Sequence, residues 1–265
     1  MMFAKAKILR ISFPLLAVSI VSGALVILAR HFIQYEGLIQ DVSAWGAFFT
    51  VFGVIYAIVA GFLLITVLSR YSALSQTVED ELNAVESIRD FLIYFGSDQQ
   101  TASQQLRRSL ADYAKAIATA EWKEMADPAT PTNSDTSEEL YEIMRCTAKM
   151  PVTGDRDSSV LAAVIASVSD LAKMRTRRIA LANERLPPRL RLLLLLMSCA
   201  LGAGYYAVGV QSLAVHIFMT SALCVSLYLL YWIIEDLDHP FYGIWNINRA
   251  PLDELIERFQ TEGLG

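Results

Sequence analysis

Three stretches of this chain carry no Asp, Glu, Lys or Arg. The first lies between Arg10 and Arg30, the second between Asp41 and Arg70, and the third runs from Leu192 to Ile234. A bilayer's hydrocarbon core is about 30 Å thick and takes roughly 20 helical residues to cross. The first two stretches therefore hold one crossing each. The third holds two, turning near Gly209, Val210, Gln211 and Ser212. In hydrocarbon every backbone N–H and C=O must be satisfied internally, and a helix does so within one segment. The pattern predicts an all-α integral membrane protein with four transmembrane helices.

Between the second and third crossings the period changes. Val78, Leu82, Val85, Ile88 and Leu92 recur at spacings of three and four, as do Leu106, Leu110, Tyr113 and Ile117, and then Leu161, Val164, Val168 and Leu171. Such stripes mark amphipathic helices packed on one another. A polar, proline-containing stretch over 126–135 reads as a loop, and Thr136 with Glu139 resembles a capping box opening the next helix. No breaker separates the second crossing from the Val78 stripe, so that helix is expected to continue past Arg70. Pro187 and Pro188 are expected to bend the chain just before the third crossing. The expected divisions are 1–69 (helices one and two), 70–190 (a helical insert), 191–235 (helices three and four) and 236–265 (a tail).

Composition agrees with this division. Of 265 residues, 54% are hydrophobic and only 18% charged, against about a quarter in soluble domains. A net charge of -5 argues against a nucleic-acid partner, which demands a basic face. Cys146, Cys199 and Cys224 show no metal-ligand spacing. Lys5, Lys7 and Arg10 precede the first crossing, and Arg175, Arg177, Arg178, Arg185, Arg189 and Arg191 crowd the approach to the third. The loop between crossings one and two holds Glu36 and Asp41. The bias of positive charge toward the cytoplasm puts both termini and the insert on that side of a bacterial inner membrane. The first stretch is expected to stay as a span: its apolar core is long, and Arg30, His31 and Phe32 make a poor signal-peptide cleavage site.

Catalytic chemistry is not visible. The three histidines, His31, His216 and His239, are scattered, and no nucleophile elbow, phosphate loop or paired metal-ligand motif occurs. No catalytic residue, metal or cofactor is expected, and the chain is read as a non-enzyme. Acidic or basic groups are missing from the middle of every span, which disfavours a proton-coupled transporter and leaves room for a pore with an apolar constriction. Two charged clusters flank the last pair of spans, Arg175, Arg177 and Arg178 before and Glu235, Asp236 and Asp238 after. Pairing of Arg178 with Asp236 or Asp238 is the expectation they raise.

Residues along most of the chain resemble the bestrophin-like family of bacterial membrane proteins. The resemblance rests on Gly53, Gly61 and Phe62 in the second span, Glu86 and Arg89 beyond it, and Arg178 with Leu186, Pro187 and Pro188 ahead of the third span. Its most specific part is Asp236, Asp238, Pro240, Phe241 and Gly243. More distantly the chain is similar to the bestrophin anion channels, with Pro251 and Asp253 continuing that pattern. It departs from them in lacking a basic-aromatic run after Gly61 and Phe62, and in one extra residue between Phe241 and Gly243.

The resemblance implies a homo-oligomer in the lipid bilayer, in bestrophins a pentamer, whose second spans line a pore for inorganic anions. It places a neck at Val54, Ile58 and Phe62, which share one helix face at spacing four. The alternative is a non-conducting scaffold whose cytoplasmic helices bind a protein partner.

Overall fold

A computed structural model describes residues 2–32, 42–96, 99–127, 137–208 and 210–262, with side chains of 2–11 and Val42 left aside. The expected loop positions Glu36, Asp41 and 128–135, together with Thr136 and Gly209, lie outside the described residues. Among those described there is no strand. The helices are α1 (Met2–Phe32), α2 (Val42–Phe91), α3 (Gln100–Ala116), α4 (Trp122–Ala126), α5 (Glu138–Ala148), α6 (Asp155–Asn183), α7 (Pro188–Ala207), α8 (Leu213–Leu237) and α9 (Ala250–Thr261). A 3₁₀ turn, Leu92–Tyr94, follows α2, and a π-helical turn, Ile117–Glu121, joins α3 to α4. Among the described residues, four helical segments are long and apolar enough to cross a membrane.

The helix ends follow from local chemistry. Ser137 caps α5, its hydroxyl accepting from Leu140 N–H at 3.3 Å, with Glu138 and Glu139 beside the positive end of the helix. The cap is thus one residue later than the Thr136–Glu139 box predicts. Pro188 opens α7, where a missing N–H costs nothing. Pro187 supplies the first carbonyl, taken by Leu190 N–H at 2.9 Å. Ser212 caps α8. Pro14 sits inside α1 without ending it, as membrane helices tolerate.

The chain forms two compact units, one of Met1–Leu68 with Leu186–Asp238, the other of Ser69–Arg185 with His239–Gly265. In the first, small residues let helices approach, as is usual where no hydrophobic force drives helices together. Gly23 of α1 faces Ile217 and Ser221 of α8, and the Ser22 and Ser221 hydroxyls meet at 2.9 Å. Gly202 of α7 faces Cys224 of α8. The start of α2 packs on α7 through Phe49 and Tyr205, with rings 5.3 Å apart, and through Tyr56 and Ser198.

The second unit has a continuous apolar core. Leu74, Val78, Leu82, Val85 and Ile88 of α2, Leu106, Leu110 and Tyr113 of α3, Leu140 and Ile143 of α5, Val164, Val168 and Leu171 of α6, and Leu252, Leu255 and Phe259 of α9 are all buried in it. These are the stripes read from the sequence, with residues of α5 and α9 added.

Among the described glycines of the first unit, Gly204 sits closest to a neighbouring side chain. A Cβ built there runs into the Phe49 ring, and Phe49 is held by Trp45, Phe48 and Tyr205. Gly204→Ala is therefore expected to destabilise by about 1–3 kcal/mol, the usual cost of overpacking, read as a lower melting temperature in detergent. Adding Phe49→Ala is expected to recover part of the loss; no recovery would refute the contact.

Candidate pore face and charge clusters

The membrane half of α2 has two faces. Tyr56, Ala60, Leu63 and Val67 are buried at spacings of three and four, while Val54, Ile58 and Phe62 are 54%, 64% and 75% exposed in the single chain. Val51 and Ile65 extend the exposed face along the helix. The helical period alone produces this split, since the residues packed on the chain's own helices recur between those that are not. No atom lies within 4 Å of a Cβ built at Gly53 or Gly61, so neither glycine makes a close approach within the chain.

The charged residues around the last spans are used in a way the sequence reading did not anticipate. Asp238 closes α8, and both its carboxylate oxygens accept from the Leu186 N–H, at 2.9 and 3.1 Å. Arg191 of α7 pairs with Asp238 and, at 3.3 Å, with Glu235. A buried carboxylate thereby satisfies a backbone donor just ahead of α7 and ties the start of α7 to the end of α8. Asp236 lies in the last turn of α8, and its carbonyl accepts from the Asp238 N–H.

Arg178, which the sequence analysis matched with Asp236 or Asp238, engages Glu81 and Glu121. Its side chain is 1% exposed, and such a cation must have carboxylates beside it. Glu81 of α2 takes the Arg178 Nε and, at 3.1 Å, a terminal nitrogen that also donates to Glu121. Arg175, one turn earlier on α6, donates to Glu121 Oε1 at 2.7 and 3.0 Å. The Tyr113 hydroxyl donates to Glu81 at 2.6 Å, and Met125 Sδ lies 3.2 Å from Arg178. Two arginines and two glutamates balance.

The π turn is what delivers Glu121 to this site. Its wider winding is a local departure that such turns often make where a side chain must be re-aimed.

Burial works against the Arg178 charge, but the opposing charge and hydrogen bonds of Glu81 outweigh it and hold the guanidinium above its usual range. Burial likewise pushes the Glu121 carboxyl up, yet Arg178 and then Arg175 outweigh it and hold it below the usual carboxylate range. The Tyr113 hydroxyl is raised well above its ordinary value, first by burial and then by the Glu81 charge. The cluster ties α2, α3 and α6 together through these hydrogen bonds and ion pairs.

Sequence reasoning missed Glu81, Glu121, Tyr113 and Arg191 as partners, although a signal existed. Glu81 falls in register with Val78 and Val85, and Arg175 and Arg178 continue the stripe of Val164, Val168 and Leu171. Charges on an apolar stripe have to find each other.

The remaining motif residues shape the segment after α8. Phe241 is buried with its ring 5.1 Å from Trp122, edge to face, and the Pro240 carbonyl accepts from Ile247 N–H at 2.8 Å. Gly243 has φ 113°, where a side chain would be strained. Among the described residues no group of three or more His, Cys, Asp or Glu comes together as a metal site.

A profile of the bestrophin-like domain matches residues 15–252. The chain belongs to the bestrophin-like family. The fold agrees. A crystal structure of a bacterial bestrophin homologue variant from Klebsiella pneumoniae is similar with TM-score 0.70 at 15% identity, over 94% of this chain and 99% of that one. A second variant of that homologue gives TM-score 0.68 at 16% identity, over 96% and 99%. A crystal structure of a membrane protein variant gives 0.70 at 16%, over 95% and 99%. No curated protein matches the chain by sequence. This bestrophin-like chain is thus a membrane protein, by its family and by its apolar helices.

Arg178→Met is expected to cost about 3–5 kcal/mol, because it leaves the buried Glu81 carboxylate without its counter-charge and Glu121 with Arg175 alone. Adding Glu81→Gln to that variant, which leaves the Arg175–Glu121 pair in place, should restore part of the melting temperature. Acid tests the same cluster. Glu121 titrates lower folded than unfolded, so its contribution is complete above about pH 4.3, the unfolded value, and is lost as pH falls through the folded value. The wild-type melting temperature should hold down to about pH 4.3 and then fall. Glu121→Gln, lacking the charge from the outset, should begin lower and lose less; parallel curves would contradict the assignment.

Proposed function

We propose that this bestrophin-like chain is the subunit of an ion channel. Copies assemble into a ring, the exposed face of α2 lines an axial pore, and Val54, Ile58 and Phe62 form its neck. The supporting observation is that three large apolar side chains share one face of α2 and stay uncovered, while the opposite face packs on the chain's own helices. Membership of the bestrophin-like family supports the same reading. A neck of this composition conducts by letting ions pass partly dehydrated and gates by dewetting.

Anions are the proposed permeant species. The neck holds no carboxylate, and the rim of the Phe62 ring carries the positive edge of the aromatic quadrupole. Lys5, Lys7 and Arg10 in the first turns of α1, and Arg185, Arg189 and Arg191 around the start of α7, support cytoplasmic termini and a cytoplasmic second unit in a bacterial inner membrane. Gly53 and Gly61, open on this chain, are proposed to leave space for a neighbouring copy.

A non-conducting scaffold is the second reading. It is favoured by Ile93, Tyr94, Tyr141 and Ile165, apolar side chains exposed on the second unit and available to a protein partner.

Purified protein in planar bilayers separates the two. The channel reading expects unitary currents with a reversal potential near that of chloride under a salt gradient. It also expects a larger conductance in Ile58→Ala and Phe62→Ala, since shorter side chains lower the dewetting barrier. Silent bilayers from a folded protein and from both variants would support the scaffold.

A further inference from the structure

In the first unit α7 and α8 are tied at two levels. Where α7 ends and α8 begins, His216 Nε2 lies 3.2 Å from the Tyr205 carbonyl, and a Cβ built on Gly202 meets Cys224 Sγ at 3.9 Å. At the opposite end the long Arg191 side chain bridges the two helices to Asp238 and Glu235. Between these ties lies a groove of about 430 Å³, with Leu195, Cys199 and Ala203 of α7 on one wall and Cys224, Leu227 and Tyr231 of α8 on the other. Cys199 and Ala203 are exposed, so the groove is open to the side. All of these residues belong to the first unit.

The depth of the groove decides what fits it. The charge-free run of the last two spans begins at Leu192 and ends at Ile234. At 1.5 Å per helical residue the groove starts about 5 Å inside those limits and stops about 15 Å inside them. Half of a bilayer's hydrocarbon core is also about 15 Å. The groove is therefore confined to one leaflet and closes at Gly202. A helix from a second copy crosses both leaflets and needs a groove along the whole span; an acyl chain needs one leaflet only. The lining is overwhelmingly apolar, and the Ser198 and Tyr206 hydroxyls within it are turned to Tyr56 and Cys224. One turn past its open end the character changes. Arg191, Glu235 and Asp238 stand at the membrane surface, and Arg189 is exposed there. Apolar for one leaflet and charged at its surface is the profile of a phospholipid.

We propose that the groove between α7 and α8 holds one acyl chain of a phospholipid, drawn from the leaflet that meets the start of α7, with the lipid phosphate at the level of Arg189. The chain supplies the dispersion contacts that an open gap between two helices forfeits. It joins the two spans over the stretch where neither Gly202 nor Arg191 does. The site rests on the chain being a membrane protein and needs no conduction, so it stands or falls apart from the pore.

Native mass spectrometry of the full chain in detergent, with phosphatidylglycerol added in steps, tests this. The wild type should keep one lipid per chain through a detergent wash that strips loosely held lipid. Ala203→Trp puts an indole into the groove and should lose that lipid. Leu196→Trp, at an exposed position of α7 outside the groove, should keep it. A wild type with no retained lipid overturns the proposal, as does equal retention by wild type and Ala203→Trp. A fall in oligomer mass for Ala203→Trp, with no lipid on the wild type, gives the groove to a second copy and overturns it too. Should Ala203→Trp fail to fold, Cys199 decides. Its labelling by an apolar maleimide, located by peptide mapping, should be several-fold slower in lipid-loaded than in lipid-stripped wild type; equal rates overturn the site.

Discussion

A charge in a low-dielectric surrounding has to be paired or absent, and this constraint organises both units of the protein. Removing an ion from water costs several kcal/mol even after relaxation, and only close, well-aligned partners recover it. In the first unit the solution is absence. The spans carry apolar side chains, small residues and hydroxyls through their length, and charge collects at the ends. Asp238 is the exception that shows the rule. Buried at the end of α8, it is met by the Leu186 N–H and the Arg191 guanidinium.

In the second unit the solution is mutual compensation. Arg175, Arg178, Glu81, Glu121 and the Tyr113 hydroxyl form one hydrogen-bonded set inside an otherwise apolar core. Such a set gains little over a well-packed apolar alternative. Its consequence is geometric. Each member demands its partner at hydrogen-bond distance, so α2, α3 and α6 have one acceptable register against one another. The π turn at Ile117–Glu121 is the local distortion that lets Glu121 satisfy two arginines at once.

α2 belongs to both solutions, since the two units divide between Leu68 and Ser69 within it. Before that point its uncovered face carries Val54, Ile58 and Phe62, with Thr50 and Thr66 a turn beyond on either side, and no charge. Beyond it the helix carries Glu81 into a buried ion cluster. The same helix therefore carries an exposed apolar row in the first unit and a fixed charge in the packed core of the second.

The linear order of residues determined the helices and their buried faces. A run without charges can be held only one way in hydrocarbon, and a stripe at spacing three and four buries the same residues whatever they meet. Hence the spans, the insert stripes and the family motif around Asp238, Pro240 and Phe241 were legible in advance. Partner choice was not. Arg178 had acids available both after α8 and on α2 and near α3, and only packing decided for Glu81 and Glu121. The cap at Ser137 rather than Thr136 and the π turn belong to the same class. Each depends on which atoms from distant parts of the chain come within about 3 Å, a distance that periodicity along the chain does not encode.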